Sequence, residues 1–158
     1  MIIVILILSF YLDGLLSNLN YIFPLCTLIS LIIIYPYLYN MKRDYYIISF
    51  IIGLIYDISY TDTLFLNAFI FLFVGFLLVK INLIITNNIF NVTLISLFII
   101  IIYRVVVFLI LVFINYISFD IQNLIYSIIF SLHNILYGVI LYKITDLISK
   151  KKGIYKMD

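Results

Sequence analysis

The stretch Val92–Ile117, VTLISLFIIIIYRVVVFLILVFINYI, decides the class of the fold. It carries one charge, Arg104, in a run long enough to cross a bilayer core of about 30 Å as a helix rising about 1.5 Å per residue. It lacks the apolar–polar alternation of a membrane barrel strand. The rest of the chain is alike. Of 158 residues, 67% are hydrophobic and only 10% charged, and the mean hydropathy is +1.33. A soluble domain is about 25% charged, and one of roughly 150 residues still leaves about 30% of its unfolded-chain surface in water. So much apolar surface cannot be hidden from water at this length. The chain reads as an all-α integral membrane protein and a single transmembrane domain. Disorder, a secreted disulfide scaffold and a nucleic-acid module are excluded, the second because Cys26 has no cysteine to pair with.

Outward from that stretch, polar breaks divide the chain into six predicted helices, at about 1–19, 23–39, 45–60, 64–81, 92–117 and 121–144, with a basic tail over 145–158. The connections are short, which predicts antiparallel neighbours in one bundle, and no internal repeat is visible. Of the nine basic residues, Lys42 and Arg43 fall between helices two and three, and Lys80 at the end of helix four. Lys143, Lys150, Lys151, Lys152 and Lys156 fall at or after the end of helix six. The intervening connections hold Asp62 and Asp120 instead. By the positive-inside rule, six spans with both termini in the cytoplasm give this alternation. The first segment lacks the basic start and small-residue cleavage site of a signal peptide and reads as a retained helix. Tyr35, Tyr37, Tyr39, Tyr45 and Tyr46 cluster near the predicted cytoplasmic interface, as an aromatic belt or as AT-rich codon bias.

Catalysis needs a constellation that this sequence does not offer. There is one His, one Cys and no Glu, and no metal-binding, nucleophile-elbow or phosphate-loop motif. No enzyme activity, catalytic residue, metal or cofactor is expected. The polar groups inside the spans are few. Ser49, Gly53 and Asp57 share one face of helix three at i, i+4, i+8. Small residues let helices approach closely in lipid, so this face reads as a packing seam, internal or for a partner's helix. Ser127, Ser131, Asn134 and Gly138 fall within about 60° of one another on helix six, with the same two readings. His133 lies off that stripe and reads as a satisfied hydrogen-bonding residue, and Asp13 is a further ionisable group. Arg104 sits near the middle of helix five, where insertion costs roughly 2.5–3.5 kcal/mol, and calls for a carboxylate. Asp57 is the expected partner, at the same helical rise from the cytoplasmic side, with Asp13 as its rival.

The segment GLIYDISYTDTLFLNAF at 53–69 carries a resemblance. Gly53-Leu54-Ile55-Tyr56-Asp57 ends the third predicted helix, and Leu64-Phe65-Leu66-Asn67-Ala68 opens the fourth. Together with Gly75, Pro24 before helix two and the basic pair Lys42-Arg43, this resembles the rod shape-determining protein MreD family. The likeness covers the whole chain in layout and about residues 23–80 in motif. Phe65 departs from it, standing where the family has Gly. The resemblance implies a non-catalytic inner-membrane scaffold of the bacterial wall-elongation complex. Its partners would be an MreC-like membrane protein and, indirectly, the MreB filament and wall synthases. It also implies a six-helix fold similar to the S component of energy-coupling-factor transporters, and adds Asn67 and Gly75 to the seam residues. A substrate-binding S component of a vitamin transporter is the competing function. Such proteins dock through an Ala-x-x-x-Ala pattern on helix one, and the sole alanine here is Ala68. A small immunity protein is a third class, for which no residue argues.

Overall fold

In a computed structural model, residues 1–18, 23–61, 63, 65–81 and 88–152 are described. Asp62 and Lys156 lie outside them. The described residues form α1 (Ile2–Ser17), α2 (Cys26–Ile34), α3 (Lys42–Tyr60), α4 (Leu66–Ile81), α5 (Ile89–Phe113), α6 (Ile121–Ile129) and α7 (His133–Lys152). Two 3-10 turns, Tyr35–Tyr37 and Tyr39–Met41, join α2 to α3. Pro36 lies where α2 gives way to the first 3-10 turn: it has no N–H with which to continue the helical ladder, while Tyr35 before it keeps α geometry.

The bundle is built around α2. All nine of its residues are buried, and it packs on α1 and α7 and reaches α4 and α5. The helix is too short to cross a bilayer by itself, so neighbouring helices must carry its surroundings. The closest pairing is α3 with α4. Around this core the outer faces are apolar on every helix, from Ile3 and Ile7 on α1 through Ile58 and Phe69 to Phe113, Leu136 and Leu147. Water would not tolerate so continuous an apolar surface, and lipid would. Two stretches, Ile89–Phe113 and Ile121–Lys151, are long and apolar enough to cross a membrane by length and composition.

Three sequence expectations change. The sixth predicted helix, 121–144, is broken at 130–132 and resumes as α7, which runs on to Lys152. Part of the expected basic tail is therefore helix, with Thr145 and Ser149 buried and Tyr37 Oη 3.5 Å from Ser149 Oγ. The break is made by side chains that compete with the helical ladder. Ser131 Oγ donates back to the Ser127 carbonyl (2.6 Å), Asn134 Nδ2 to the Ser131 carbonyl (2.7 Å), and tighter i→i−3 backbone bonds run through the turn. Second, Tyr35 and Tyr45 do not belong to an interfacial belt. Both are fully buried, with ring centroids 4.9 Å apart, and Tyr45 Oη donates to the Leu31 carbonyl. Lys42 over Tyr39 and Lys80 over Phe76 supply cation–π contacts at that end of the bundle instead. The third change concerns Asp57 and Arg104.

Candidate functional site: a buried polar layer at the helix ends

Near one end of the bundle the buried polar groups gather into a layer, built from helices that stop there. A helix begins with N–H groups that have no partner within it and carries about half a positive charge at that end. The beginning of α2 is buried, so water cannot serve those groups. Asp13, near the end of α1 and buried, serves them: Oδ1 accepts from Cys26 N (2.7 Å) and Oδ2 from Thr27 N (2.8 Å). Asn134 of α7 extends the cap. Its Oδ1 accepts from Leu25 N (2.7 Å) and its Nδ2 donates to the Phe23 carbonyl (3.0 Å).

The same device recurs at α4. Asp57, near the end of α3, accepts from Asn67 N (3.1 Å) and Asn67 Nδ2 (2.8 Å) at Oδ1 and from Ala68 N (3.1 Å) at Oδ2. Thr61 Oγ1 adds a bond to Oδ1 at 3.0 Å. Tyr103 of α5 joins the network, donating its hydroxyl to Asn67 Oδ1 at 2.6 Å. In each hairpin a carboxylate on the outgoing helix caps the start of the returning one. The sequence separations are similar, 13 and 14 residues for Asp13, 10 and 11 for Asp57.

The expected ion pair between Asp57 and Arg104 is not made. Asp57 is occupied by α4, and its charge is met by N–H groups and the helix terminus rather than by a cation. Arg104 faces the other way, because α3 packs on α4 whereas α5 packs on α7, α6 and α2. Its Nε donates to Ser131 Oγ (2.6 Å) and its Nη2 to the Phe23 carbonyl (3.2 Å). The guanidinium lies 5.2 Å from the Phe23 ring centroid and 5.5 Å from that of Tyr103. Asp13, the rival partner, is taken by α2. Among the described residues the one ion pair is Lys150–Asp146, at 2.7 Å.

The small residues lie at helix contacts. A Cβ on Gly53 would stand 2.5 Å from Ala68 Cα and 2.6 Å from the Asn67 carbonyl oxygen. One on Gly75 would meet Ser49 Oγ at 3.2 Å, and one on Gly138 would meet Ile29 Cγ2 at 3.0 Å. Ser49, Gly53, Asn67 and Gly75 thus come together in the α3–α4 seam. Ser131, Asn134 and Gly138 face the interior around α2, while Ser127 is half-buried on α6 and donates to the Leu124 carbonyl. His133 is half-buried, and its Nε2 has no hydrogen-bond partner. Sequence reasoning missed the capping role of Asp13 and the part played by Tyr103. The legible signal was an Asp placed 10–14 residues ahead of the next helix start.

Chemically, this layer fixes helix ends. Among the described residues no three His, Cys, Asp or Glu side chains come together as a metal site, and buried Cys26 lies with its Sγ 3.9 Å from Asn134 Oδ1. A family model, rod shape-determining protein MreD, matches residues 1–151. The chain belongs to the MreD family. Membership makes it a membrane protein with a role in determining rod shape. Phe65, where the family resemblance departs, has a backbone φ of 68°, in the left-handed region that glycine enters freely. The structure therefore gives a physical reason for glycine at this point of the loop. Neither a curated protein nor a solved structure matches the chain.

Proposed function

We propose that this protein is a non-catalytic scaffold of the bacterial inner membrane that holds the wall-elongation complex together. It binds an MreC-like membrane protein and, through it, acts on the MreB filament and the wall synthases. The family match over residues 1–151 carries this reading. The layer at the helix ends supports it, since its carboxylates serve helix starts rather than point at a substrate. In the bilayer the chain crosses six times as one domain: α1, α2 together with the 3-10 turns that follow it, α3, α4, α5, and α6 with α7 as the sixth, both termini cytoplasmic. The fold is of the S-component kind. The basic residues argue for that orientation, because all but Arg104 fall on one side of such an arrangement.

The test is co-purification of the tagged chain with its MreC-like partner from cells, together with depletion of the chain. Retention of the partner and rounding of rod-shaped cells are expected. Normal rods after depletion, or no partner retained by a folded, inserted chain, would overturn the proposal. Reporters active only outside the cytoplasm should give signal when fused near Asp62 and Asp120 and none after Asp158. Signal after Asp158 would sink the orientation.

A further inference from the structure

The helices share one level at the cytoplasmic end and part into two levels at the other. Counted back from the polar layer, Asp57 stands 14 residues from Arg43, Asn67 13 from Lys80 and Tyr103 14 from Ile89. All three counts put the cytoplasmic ends about 20 Å from the layer. Beyond the layer the heights differ. α1 and α4 have 16 residues each, and α3 has 19, of which the first three are Lys42, Arg43 and Asp44. Each of these helices therefore offers an apolar length of about 24 Å. α1 ends in exposed Ser17 and Asn18, whose side chains turn back to the Gly14 carbonyl, and α3 runs into Thr61. α5 is longer, 25 residues or about 37 Å. It meets α4 through Tyr103 and the entry to α2 through Arg104, and then runs on for nine residues to Phe113. α6 brings the chain back to Ser131 beside Arg104. The hairpin of α5 and α6 thus stands roughly 9 Å taller than the ends of α1 and α3.

The two heights make opposite demands on the surroundings. Leu109, Phe113, Ile114, Ile121 and Ile125 are exposed on the tall hairpin, and no residue of α6 is buried, so hydrocarbon has to reach its tip. Along α1, α3 and α4 it cannot reach so high. There it would meet Ser17, Asn18 and the irregular turn that carries left-handed Phe65, and irregular backbone does not face lipid inside the hydrocarbon. The turn at 130–132 differs: the N–H groups of Ser131 and Leu132 are bonded to carbonyls of α6, so it can lie within the membrane. The short helices form one continuous arc. Phe10 and Tyr60 join α1 to α3, with ring centroids 4.8 Å apart and the Tyr60 hydroxyl on the Phe10 carbonyl, and the α3–α4 seam completes it. Tilting the bundle does not reconcile the two sides, because the cytoplasmic ends are already level.

We propose that the chain holds the bilayer at two thicknesses, drawing the leaflet beyond the polar layer inward along α1, α3 and α4 while keeping it at full height along α5 and α6. The hydrocarbon is about 24 Å deep on the short arc, against about 30 Å in an undisturbed bilayer. A span shorter than the membrane is accommodated by local thinning, and here the thinning is confined to one side. The partner of this surface is the lipid itself, with phospholipids of shorter acyl chain favoured along the arc. The inference rests on the six-crossing reading above, and neither on the protein partner nor on which leaflet is the outer one.

The test measures depth in the membrane on both sides of the full-length chain, reconstituted in dioleoylphosphatidylcholine. A nitroxide is attached to Ile58→Cys on α3 or to Leu109→Cys on α5, both exposed positions, and its collisions with oxygen and with a water-soluble nickel chelate are compared. Cys26 is buried, and the unsubstituted chain is the labelling control. In a level bilayer Ile58 would lie roughly 8 Å deeper than Leu109 beneath the nearer headgroups, since it is one residue past Asp57 whereas Leu109 is six past Tyr103. With the leaflet drawn in, Ile58 should be as shallow as Leu109 or shallower. Leu15→Cys on α1 and Ile125→Cys on α6 form a second pair, which decides the matter if a label at the first pair prevents folding. Ile58 deeper than Leu109 by the level-bilayer distance would overturn the inference and leave the six crossings standing. Water at Phe98→Cys as well as at Leu109→Cys would overturn the crossing of α5, and the inference with it.

Discussion

Gly53 and Phe65 set two opposite demands on the same hairpin of α3 and α4. At Gly53 the helices touch backbone to backbone, and an added methyl would stand 2.5 Å from Ala68 Cα. Backbone cannot swing aside as a side chain can. Gly53→Ala should therefore destabilise the fold by about 1–3 kcal/mol despite the better helix propensity of alanine, read as thermal unfolding in detergent. At Phe65 a left-handed backbone carries a bulky side chain, at a cost of about 1–2 kcal/mol. Phe65→Gly should raise stability by up to about 1 kcal/mol, the gain reduced by the greater freedom of glycine in the unfolded chain. A fall in stability would mean that the half-exposed ring does more for packing than its backbone loses. For Asp57 the expected change is larger. Asp57→Ala strands buried N–H groups at the start of α4, each worth about 1–3 kcal/mol. Since Asp57 and Arg104 do not touch, the double change Asp57→Leu with Arg104→Leu should come within about 1 kcal/mol of the sum of the singles. A coupling of several kcal/mol would restore the ion pair.

At the scale of elements, the helical class and the rough position of most helices were legible because an apolar run has a length, and a helix needs length. The seam on α3 was legible for a related reason: Ser49, Gly53 and Asp57 repeat at helical spacing, and a repeat names a face. What α2 does was not. Its apolar residues look like those of any span, and only the surrounding helices make it short and central. Nor was the break at 130–132 visible, because Ser127, Ser131 and Asn134 have the same spacing whether they pack a helix or bend it. The bend depends on Phe23, Leu25 and Arg104, all distant in sequence. The Asp57–Arg104 pair was expected from matched depth alone, and depth does not say which way a face turns. Asn134 joins α7 to the start of α2, so Asn134→Ala should loosen two elements at once and cost roughly 2–4 kcal/mol, with faster proteolysis around residues 130–132 as the local readout.

For the whole molecule, the outward surface is apolar on all sides and the charges stand at the ends. The helix α7 carries Lys150, Lys151 and Lys152 beyond Ser149, the last buried position among the described residues. Near an anionic leaflet each contributes about 1 kcal/mol of attraction. Replacing Lys150, Lys151, Lys152 and Lys156 with Gln should leave insertion and cell shape near normal, because the spans themselves fix the fold. Rounded cells with intact insertion would assign the run to a cytoplasmic partner.

The paired carboxylate caps bear on how the chain is made. Asp13 leaves the ribosome before the N–H groups of Cys26 and Thr27 that it serves, and Asp57 before those of Asn67 and Ala68. Between the two moments a bare carboxylate would stand at the edge of the hydrocarbon with nothing to meet it. Each hairpin therefore has to leave the insertion machinery as a unit, the first helix waiting at a protein-lined exit until the second arrives. On this basis a chain truncated after Asn18, or after Thr61, would release a helix that returns to water more readily than the same helix with its Asp replaced by Leu, and pulse-labelled insertion intermediates would show the difference.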